Sequence, residues 1–166
     1  MRVCVPKEAA PTEKRVATTP EAVRSLTELG FEVSIEAGAG RSAGFLDAAY
    51  EESGAIINSN TRQLWDEADV ILKVRAPLLV RPTDEINWLH SGQTLIGFLW
   101  PAQNQALLER LAKNGVNALS IDAVPRISRA QNLDALSSMA NIAGYRAVVE
   151  AANHFGRFFT GQVTAA

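Results

Sequence analysis

The chain has 166 residues, of which 47% are hydrophobic and 20% are charged, an ordinary composition for a soluble globular α/β protein of about one domain. Sixteen basic and 18 acidic residues give a formal net charge of −2, which argues against a general nucleic-acid-binding protein. No apolar stretch approaches the ~20 residues that a membrane-spanning helix needs, so this segment is expected to be soluble.

Six short runs rich in Val, Ile and Leu are predicted as β-strands. The first follows Met1 and Arg2 directly, which leaves no room for a signal peptide, and it contains the single cysteine, Cys4. A lone cysteine cannot form an internal disulfide, so Cys4 is interpreted as a buried structural thiol in a reducing compartment. The runs are apolar on both faces, which is typical of strands covered by helices on each side. The predicted strands are Val3–Pro6, Glu32–Glu36, Ala55–Asn58, Val70–Arg75, Thr94–Trp100 and Val116–Ile121.

Amphipathic segments between these runs are predicted as helices. Thr19 is expected to cap a helix that begins at Pro20 and ends before Gly30, and a second helix is expected from Asn104 to Lys113. The alternation of strands and helices predicts a doubly wound, mostly parallel sheet of the Rossmann or flavodoxin type. Shorter helices are predicted at Asp47–Ser53, Thr61–Asp66 and Thr83–Leu89.

The last part of the chain is predicted as one long helix. No proline occurs from Leu133 to about Phe159, and apolar residues recur at helical spacing. We expect a helix of about 24 residues, longer than the roughly 11–12 residues typical of globular proteins. Small residues dominate one of its sides and would let another backbone approach closely: Ala140, Ala143, Gly144, Ala147 and Ala151.

A glycine-rich segment, "GAGRSA" (Gly38 to Ala43), formally fits a dinucleotide-binding fingerprint. The fingerprint requires a helix that opens inside the motif, whereas here the next helix is predicted to begin later, near Asp47. We interpret the segment as a glycine-rich turn. The two histidines, His90 and His154, have no neighbour at metal-ligand spacing, so no metal site is predicted.

The charged loop after the first predicted strand holds three candidate site residues, Lys7, Glu8 and Arg15. Loops that follow strand carboxyl ends hold ligands in parallel α/β sheets, which favours a site. A solvated charged loop explains the same residues, and their role stays open.

The polar segment "RISRAQNLDALSS" (Arg126 to Ser138) lies between the last predicted strand and the long helix. Arg126 carries a fork of donors, Gln131 carries donors and an acceptor, Asp134 accepts, and Ser137 can do either. This mixture suits an amide-bearing ligand such as a nicotinamide. Helix capping by Asn132 or Asp134, with solvated arginines, explains the segment equally well.

The stretch "PRISRAQNLDALSSMANIAGYRAVVEAA" strongly resembles the NAD(H)-binding component of proton-translocating nicotinamide nucleotide transhydrogenase. Further stretches look like its bacterial α subunit in the same order, so the resemblance covers essentially the whole chain: "MRVCVPKE", "KRVATTPEAV", "EAGAG", "ILKVRAP" and "FLWPAQN".

The resemblance implies hydride transfer between NAD(H) and NADP(H) coupled to proton translocation. It assigns residues 1–131 to the first α/β subdomain, 132–159 to a linking helix, and 160–166 to the start of a linker toward an NAD-binding subdomain beyond this chain. The matching loop would close over the nicotinamide and position it, so these residues are expected to act as catalytic positioning and cofactor-binding groups: Arg126, Gln131, Asp134, Ser137 and, for the cofactor, Ser138.

The same resemblance implies a homodimer of the NAD(H)-binding component, with NADP(H) bound on a separate component and a membrane domain beside it. The segment would lie on the cytoplasmic side of a bacterial inner membrane. NAD(H) would be held mainly by the subdomain beyond this chain, so the chain alone is expected to be inactive.

Two other functions remain consistent with the sequence. Alanine dehydrogenase is similar over the same region, but its catalytic lysine and histidine correspond here to Arg75 and Trp100, which argues against amino-acid oxidation. Arg15 matches the residue that holds the substrate carboxylate in that enzyme. The second alternative is a non-catalytic module that dimerises through the small-residue face of the long helix.

Overall fold

The computed structural model describes residues 1–79 and 84–157, and the chain divides into two compact units, Met1–Ala123 and Val124–Ala166. The first unit is built on one parallel sheet of six strands in the order β3-β2-β1-β4-β5-β6. This order is that of a Rossmann-type doubly wound sheet, so the predicted fold class is confirmed. The strands are β1 (Arg2–Val5), β2 (Glu32–Glu36), β3 (Ile56–Asn58), β4 (Val70–Arg75), β5 (Thr94–Phe98) and β6 (Asn117–Ser120).

The helices of this unit follow the predicted positions, with one difference. The segment predicted as a helix over Thr83–Leu89 forms a short 3₁₀ helix, Glu85–Trp88, and Thr83 lies outside the described residues. Further 3₁₀ turns cover Arg41–Ala43 and Ile121–Ala123. The α-helices are α1 (Pro20–Glu28), α2 (Asp47–Glu52), α3 (Thr61–Asp66) and α4 (Gln105–Lys113).

Two hydrophobic clusters form the core, one on each face of the sheet. Val3 and Val5 of β1 pack in the cluster that includes Val23 of α1, whereas Cys4 between them packs with Leu64 of α3. Alternation along a strand sends neighbouring side chains to opposite faces, so helices must cover both. The edge strand β6 departs from the prediction of double-sided burial, since its Leu119 is 54% exposed.

Local contacts explain several element boundaries. The Ala22 N–H donates to the Thr19 hydroxyl, so the predicted cap of α1 is confirmed. The glycine-rich segment is a turn, as predicted, because a 3₁₀ turn occupies Arg41–Ala43 and Gly44 ends it at φ 88°. The Asp47 carboxylate at the start of α2 accepts the N–H of Gly38 and fixes this turn to the helix.

Cys4 is fully buried in β1, which confirms its interpretation as a structural thiol. Burial raises the pKa of this thiol to about 12, because the thiolate would lose its hydration inside the core.

The second unit contains a 3₁₀ helix, Ser128–Leu133, followed by the long helix α5, Ala135–His154. The long helix is confirmed, but its 20 residues begin at Ala135, after the predicted start at 132–133, and end before Phe155. The predicted end at Phe159 lies outside the described residues. Across residues 1–79 and 84–157, no helix has both the length and the apolar character required to cross a membrane.

Candidate functional site

The polar segment of the second unit borders an open cavity of about 860 Å³. The five residues of this segment that the sequence resemblance assigns to the site are all among its lining residues, although they are spread over 13 positions of the chain. The 3₁₀ helix and the first turn of α5 bring them together, because a helical chain folds residues three and four apart onto one side. The lining comprises Arg126, Ile127, Ser128, Gln131, Asn132, Asp134, Ser137, Ser138 and Asn141.

Asp134 begins α5 and satisfies the free donors of its first turn. Its Oδ1 accepts the N–H of Ser137 at 2.9 Å, and its Oδ2 accepts the Ser137 hydroxyl at 2.6 Å. The Asp134 carbonyl also accepts the hydroxyl of Ser138 at 3.3 Å. The capping interpretation is therefore confirmed for Asp134, whereas Asn132 lines the cavity without capping.

The hydrogen bonds from Ser137 lower the pKa of Asp134 below its ordinary value, and the positive charge of Arg126 adds to this effect. Asp134 is therefore a carboxylate at neutral pH and accepts hydrogen bonds only. A ligand group that meets Asp134 has to be a donor, such as a hydroxyl or an amide N–H.

Arg126 and Gln131 differ from Asp134 in having unused hydrogen-bonding groups. Neither side chain forms a hydrogen bond with residues 1–79 or 84–157. Arg126 thus offers a planar fork of donors, and Gln131 offers a carbonyl and an amino group. Together with the Asp134 carboxylate, they can orient a carboxamide and a hydroxyl-bearing sugar without any covalent chemistry.

A second polar cluster lies in the first unit, around the loop that follows β1. Arg15 binds Glu13 through two hydrogen bonds, at 2.7 and 2.6 Å, and Arg75 at the end of β4 binds the same carboxylate at 2.7 Å. The Arg15 hydrogen bond lowers the pKa of Glu13 to about 2, with a further contribution from Arg75. Both Arg15 and Arg75 are therefore bound to the carboxylate of Glu13.

Beneath this cluster, Lys73 of β4 forms a buried ion-pair network. Its Nζ lies 2.9 Å from Glu85 Oε1 and 3.4 Å from Glu8 Oε2, and all three side chains are at most 3% exposed. Glu8 also accepts the N–H of Val74, and Glu85 accepts that of Leu78. Glu8, singled out from the sequence, is thus an internal ion-pair member rather than a solvated charge.

Sequence reasoning missed Glu13, Lys73 and Glu85 as members of these networks. A lysine inside the apolar run "VILKVR" indicates a buried countercharge, and that pattern could have revealed Lys73. Lys7, the remaining candidate, is exposed and contributes its backbone N–H to the carboxylate of Glu36.

Trp100 follows β5 with φ 50°, a conformation that bulky residues rarely adopt. The Asp122 carboxylate holds this turn by accepting the N–H groups of Leu99 at 2.8 Å and Trp100 at 3.1 Å. The indole is 40% exposed and has no group that transfers protons at neutral pH.

The alanine dehydrogenase/PNT N-terminal domain family matches residues 4–143 of the chain. Over all 166 residues the chain is 52% identical to the NAD(P) transhydrogenase subunit alpha of Cereibacter sphaeroides, of which it covers 31%. It is also 36% identical over 154 residues to the alanine dehydrogenase of Halomonas elongata, of which it covers 40%.

Solved structures give the same relationships. A crystal structure of the transhydrogenase from Sinorhizobium meliloti is similar with a TM-score of 0.88 and 40% identity, covering 99% of this chain and 48% of that one. An L-alanine dehydrogenase is similar with a TM-score of 0.69 and 35% identity, over 75% of this chain and 33% of that one. The chain thus spans between 31% and 48% of the length of these relatives.

Proposed function

The chain belongs to the alanine dehydrogenase/PNT N-terminal domain family, and we propose that it is the N-terminal part of the NAD(H)-binding component of a proton-translocating NAD(P) transhydrogenase. The 52% identity to a transhydrogenase α subunit, over the whole chain, supports this member of the family over its alanine dehydrogenase branch. The complete enzyme would transfer a hydride between NAD(H) and NADP(H).

The observation that carries the proposal is that the residues of the polar segment line one cavity in the second unit. Arg126 and Gln131 present unused donors and acceptors there, beside the capping carboxylate of Asp134. We assign them the task of holding the nicotinamide carboxamide, with Asp134, Ser137 and Ser138 placed toward the adjoining ribose. Catalysis would then consist of orienting two cofactors for direct transfer, which requires no protein nucleophile.

The remaining parts of the proposal concern what lies beyond these residues. NAD(H) would be bound mainly by a second subdomain, NADP(H) by another component, and the assembly would lie at the cytoplasmic side of a membrane domain. The proposal includes a homodimer because several apolar residues of α5 are exposed. Ile142 is 58% exposed, Tyr145 is 74% exposed and Val148 is 63% exposed.

The alanine dehydrogenase alternative conflicts with two side chains of the first unit, those of Arg75 and Trp100. Arg75 takes the place of that enzyme's catalytic lysine and is bound to Glu13, and Trp100 takes the place of its histidine. An arginine stays protonated and an indole does not titrate, so neither can exchange protons with a substrate. Alanine-dependent reduction of NAD⁺ by a complete subunit would support this alternative and contradict our proposal.

The test uses complete transhydrogenase that contains this chain as its N-terminal segment. Replacing Gln131 or Arg126 by alanine should lower the hydride-transfer rate about 10- to 100-fold, the loss expected for one or two positioning hydrogen bonds. The dissociation constant of NADH should change less than about threefold, because most cofactor contacts would lie elsewhere.

Arg129→Ala is the matched control. Arg129 lies in the same 3₁₀ helix and is exposed, but it does not line the cavity. Its replacement should leave turnover unchanged. If the Gln131→Ala and Arg126→Ala enzymes both keep wild-type turnover, the assignment of this cavity as the nicotinamide site is wrong.

A further inference from the structure

Among the described residues that line the polar cavity of the second unit, Ile127 alone is apolar. The other eight carry charged, amide or hydroxyl side chains, among them Arg126 and Gln131. Ile127 is 56% exposed, so its side chain contributes an aliphatic surface to an otherwise polar wall. A ligand in this cavity therefore meets one apolar contact beside many hydrogen-bonding groups.

The local structure does not account for an isoleucine at this position. Ile127 is the N-cap residue of the 3₁₀ helix Ser128–Leu133. N-cap positions favour Ser, Thr, Asp or Asn, whose oxygens accept the free N–H groups, and isoleucine is among the residues least suited to them. Since the side chain is also largely exposed, neither capping nor burial stabilises it there. An apolar contact with a ligand gives this aliphatic group a role.

The backbone holds Ile127 on both sides. Its N–H donates to the Pro125 carbonyl at 2.9 Å, and its own carbonyl accepts the N–H of Ala130 at 2.9 Å. Branching at Cβ restricts rotation about χ1. The side chain is therefore a stiff group in a defined position beside Arg126, and little conformational entropy is lost when a ligand packs against it.

The nicotinamide ring assigned to this cavity under the proposed function has two apolar faces. Hydrogen bonds from Arg126 and Gln131 to its carboxamide lie close to the plane of the ring and leave both faces uncovered. The hydride leaves C4 of NADH with its electron pair, through one of these faces, and adds to C4 of the NADP⁺ ring that lies against it. The opposite face needs a contact that excludes water and keeps the ring from tilting away.

We propose that Ile127 packs against the face of the nicotinamide ring opposite to the face that exchanges the hydride. This inference rests on the proposed function and adds a positioning residue to it. The in-plane hydrogen bonds fix where the edge of the ring lies, and the aliphatic contact fixes the tilt of the ring about that edge. Both are required for C4 to stay within reach of the acceptor ring.

The test compares Ile127→Thr with Ile127→Val in complete transhydrogenase that contains this chain. Threonine and valine are both β-branched and similar in shape, but threonine carries a hydroxyl where valine carries a methyl group. The hydride-transfer rate should fall about tenfold in Ile127→Thr, because a hydroxyl placed against the ring face loses its hydration, and less than about threefold in Ile127→Val. The dissociation constant of NADH should change less than about threefold in both, because most cofactor contacts would lie elsewhere.

The emission of bound NADH gives a second readout, which a change in folding alone does not move. Reduced nicotinamide emits at shorter wavelength beside apolar groups than in water. Bound NADH should therefore emit at longer wavelength in Ile127→Thr than in the wild type, whereas Ile127→Val should retain the wild-type emission. Leu133→Thr serves as the control, because Leu133 is 66% exposed in the same 3₁₀ helix but does not line the cavity, and its replacement should alter neither readout.

Gln131→Ala, measured beside these variants, separates this inference from the proposed function. If Gln131→Ala lowers the rate while Ile127→Thr keeps the wild-type rate and emission, the ring contact is wrong and the proposed function stands. A rate loss in Ile127→Thr without the emission shift would assign Ile127 to a contact other than the nicotinamide and would also overturn the inference. Wild-type rates in Gln131→Ala, Arg126→Ala and Ile127→Thr would contradict both.

Discussion

Replacing Lys73 by methionine should strongly destabilise the first unit. The lysine ammonium is the only cation within salt-bridge distance of the Glu8 and Glu85 carboxylates among the residues that the structure describes. Methionine fills a similar volume but leaves two carboxylates, each 3% exposed, without a countercharge. The perturbation therefore tests charge compensation rather than packing.

The structure sets the size of the effect. Removing one member of a buried ion pair typically lowers the free energy of unfolding by about 3–5 kcal/mol, because an uncompensated charge stays buried. Here the backbone N–H groups of Val74 and Leu78 still donate to Glu8 and Glu85, which favours the lower end of this range, about 3 kcal/mol. For a chain of this length, about 3 kcal/mol corresponds to a Tm decrease of roughly 6–12 °C.

Thermal and urea unfolding of the variants would measure this loss. Lys14→Met makes the same substitution at an exposed position and should change the free energy of unfolding by less than about 0.5 kcal/mol. Adding Glu85→Gln to Lys73→Met should cost less than the sum of the single changes, because the second substitution removes a charge that the first left unpaired. A Lys73→Met loss below about 1 kcal/mol would refute the ion-pair account.

Two further predictions concern single contacts in the first and second units. Because the folded-state pKa of Glu13 is about 2, below its ordinary value near 4.5, its stabilising contribution is complete above pH 4.5 and is lost as the pH falls toward 2. Urea titrations should show that Glu13→Gln removes about 1–2 kcal/mol of this acid-dependent stability, because Arg15 and Arg75 are about half exposed and solvent screens their charges, and leaves a flatter profile between pH 5 and pH 2. Gly97→Ala should destabilise the chain by about 1–3 kcal/mol, since the new Cβ would lie 2.6 Å from the Lys73 carbonyl oxygen. Gly144→Ala, the matched change in open space on α5, should instead stabilise it by about 1 kcal/mol, and equal effects at the two positions would contradict the packing argument.

Much of the first unit could be predicted from the sequence because the signals that define its strands and helices are local. β2, β4 and α3 have the predicted bounds, since apolar runs, a helical pattern and capping residues all act within a few positions. The short helix predicted at Thr83–Leu89 forms a 3₁₀ helix at Glu85–Trp88, because the spacing of apolar residues over so short a segment suits a 3₁₀ helix and an α-helix equally.

The buried networks could not be predicted in the same way. Glu8 and Lys73 are 65 positions apart and meet only because β1 and β4 are neighbours in the sheet. Glu13 meets Arg75 across a similar separation, 62 positions. Such pairs depend on strand order, which the alternation of helices and strands leaves undetermined, so the loop after β1 could not be resolved into ion pairs beforehand.

The two interpretations of the polar segment, a ligand site and a helix cap, are compatible because Arg126 and Gln131 take no part in the cap, which Asp134 forms with Ser137. The oxygens of Asp134 already bind the N–H and hydroxyl of Ser137, so a variant at either residue would loosen α5 as well as any ligand contact. Arg126 and Gln131 line the same cavity, and their side chains form no hydrogen bond with the residues that the structure describes. Their variants therefore separate positioning from folding, which is why the proposed hydride-transfer role should be judged on these two residues and not on Asp134 or Ser137.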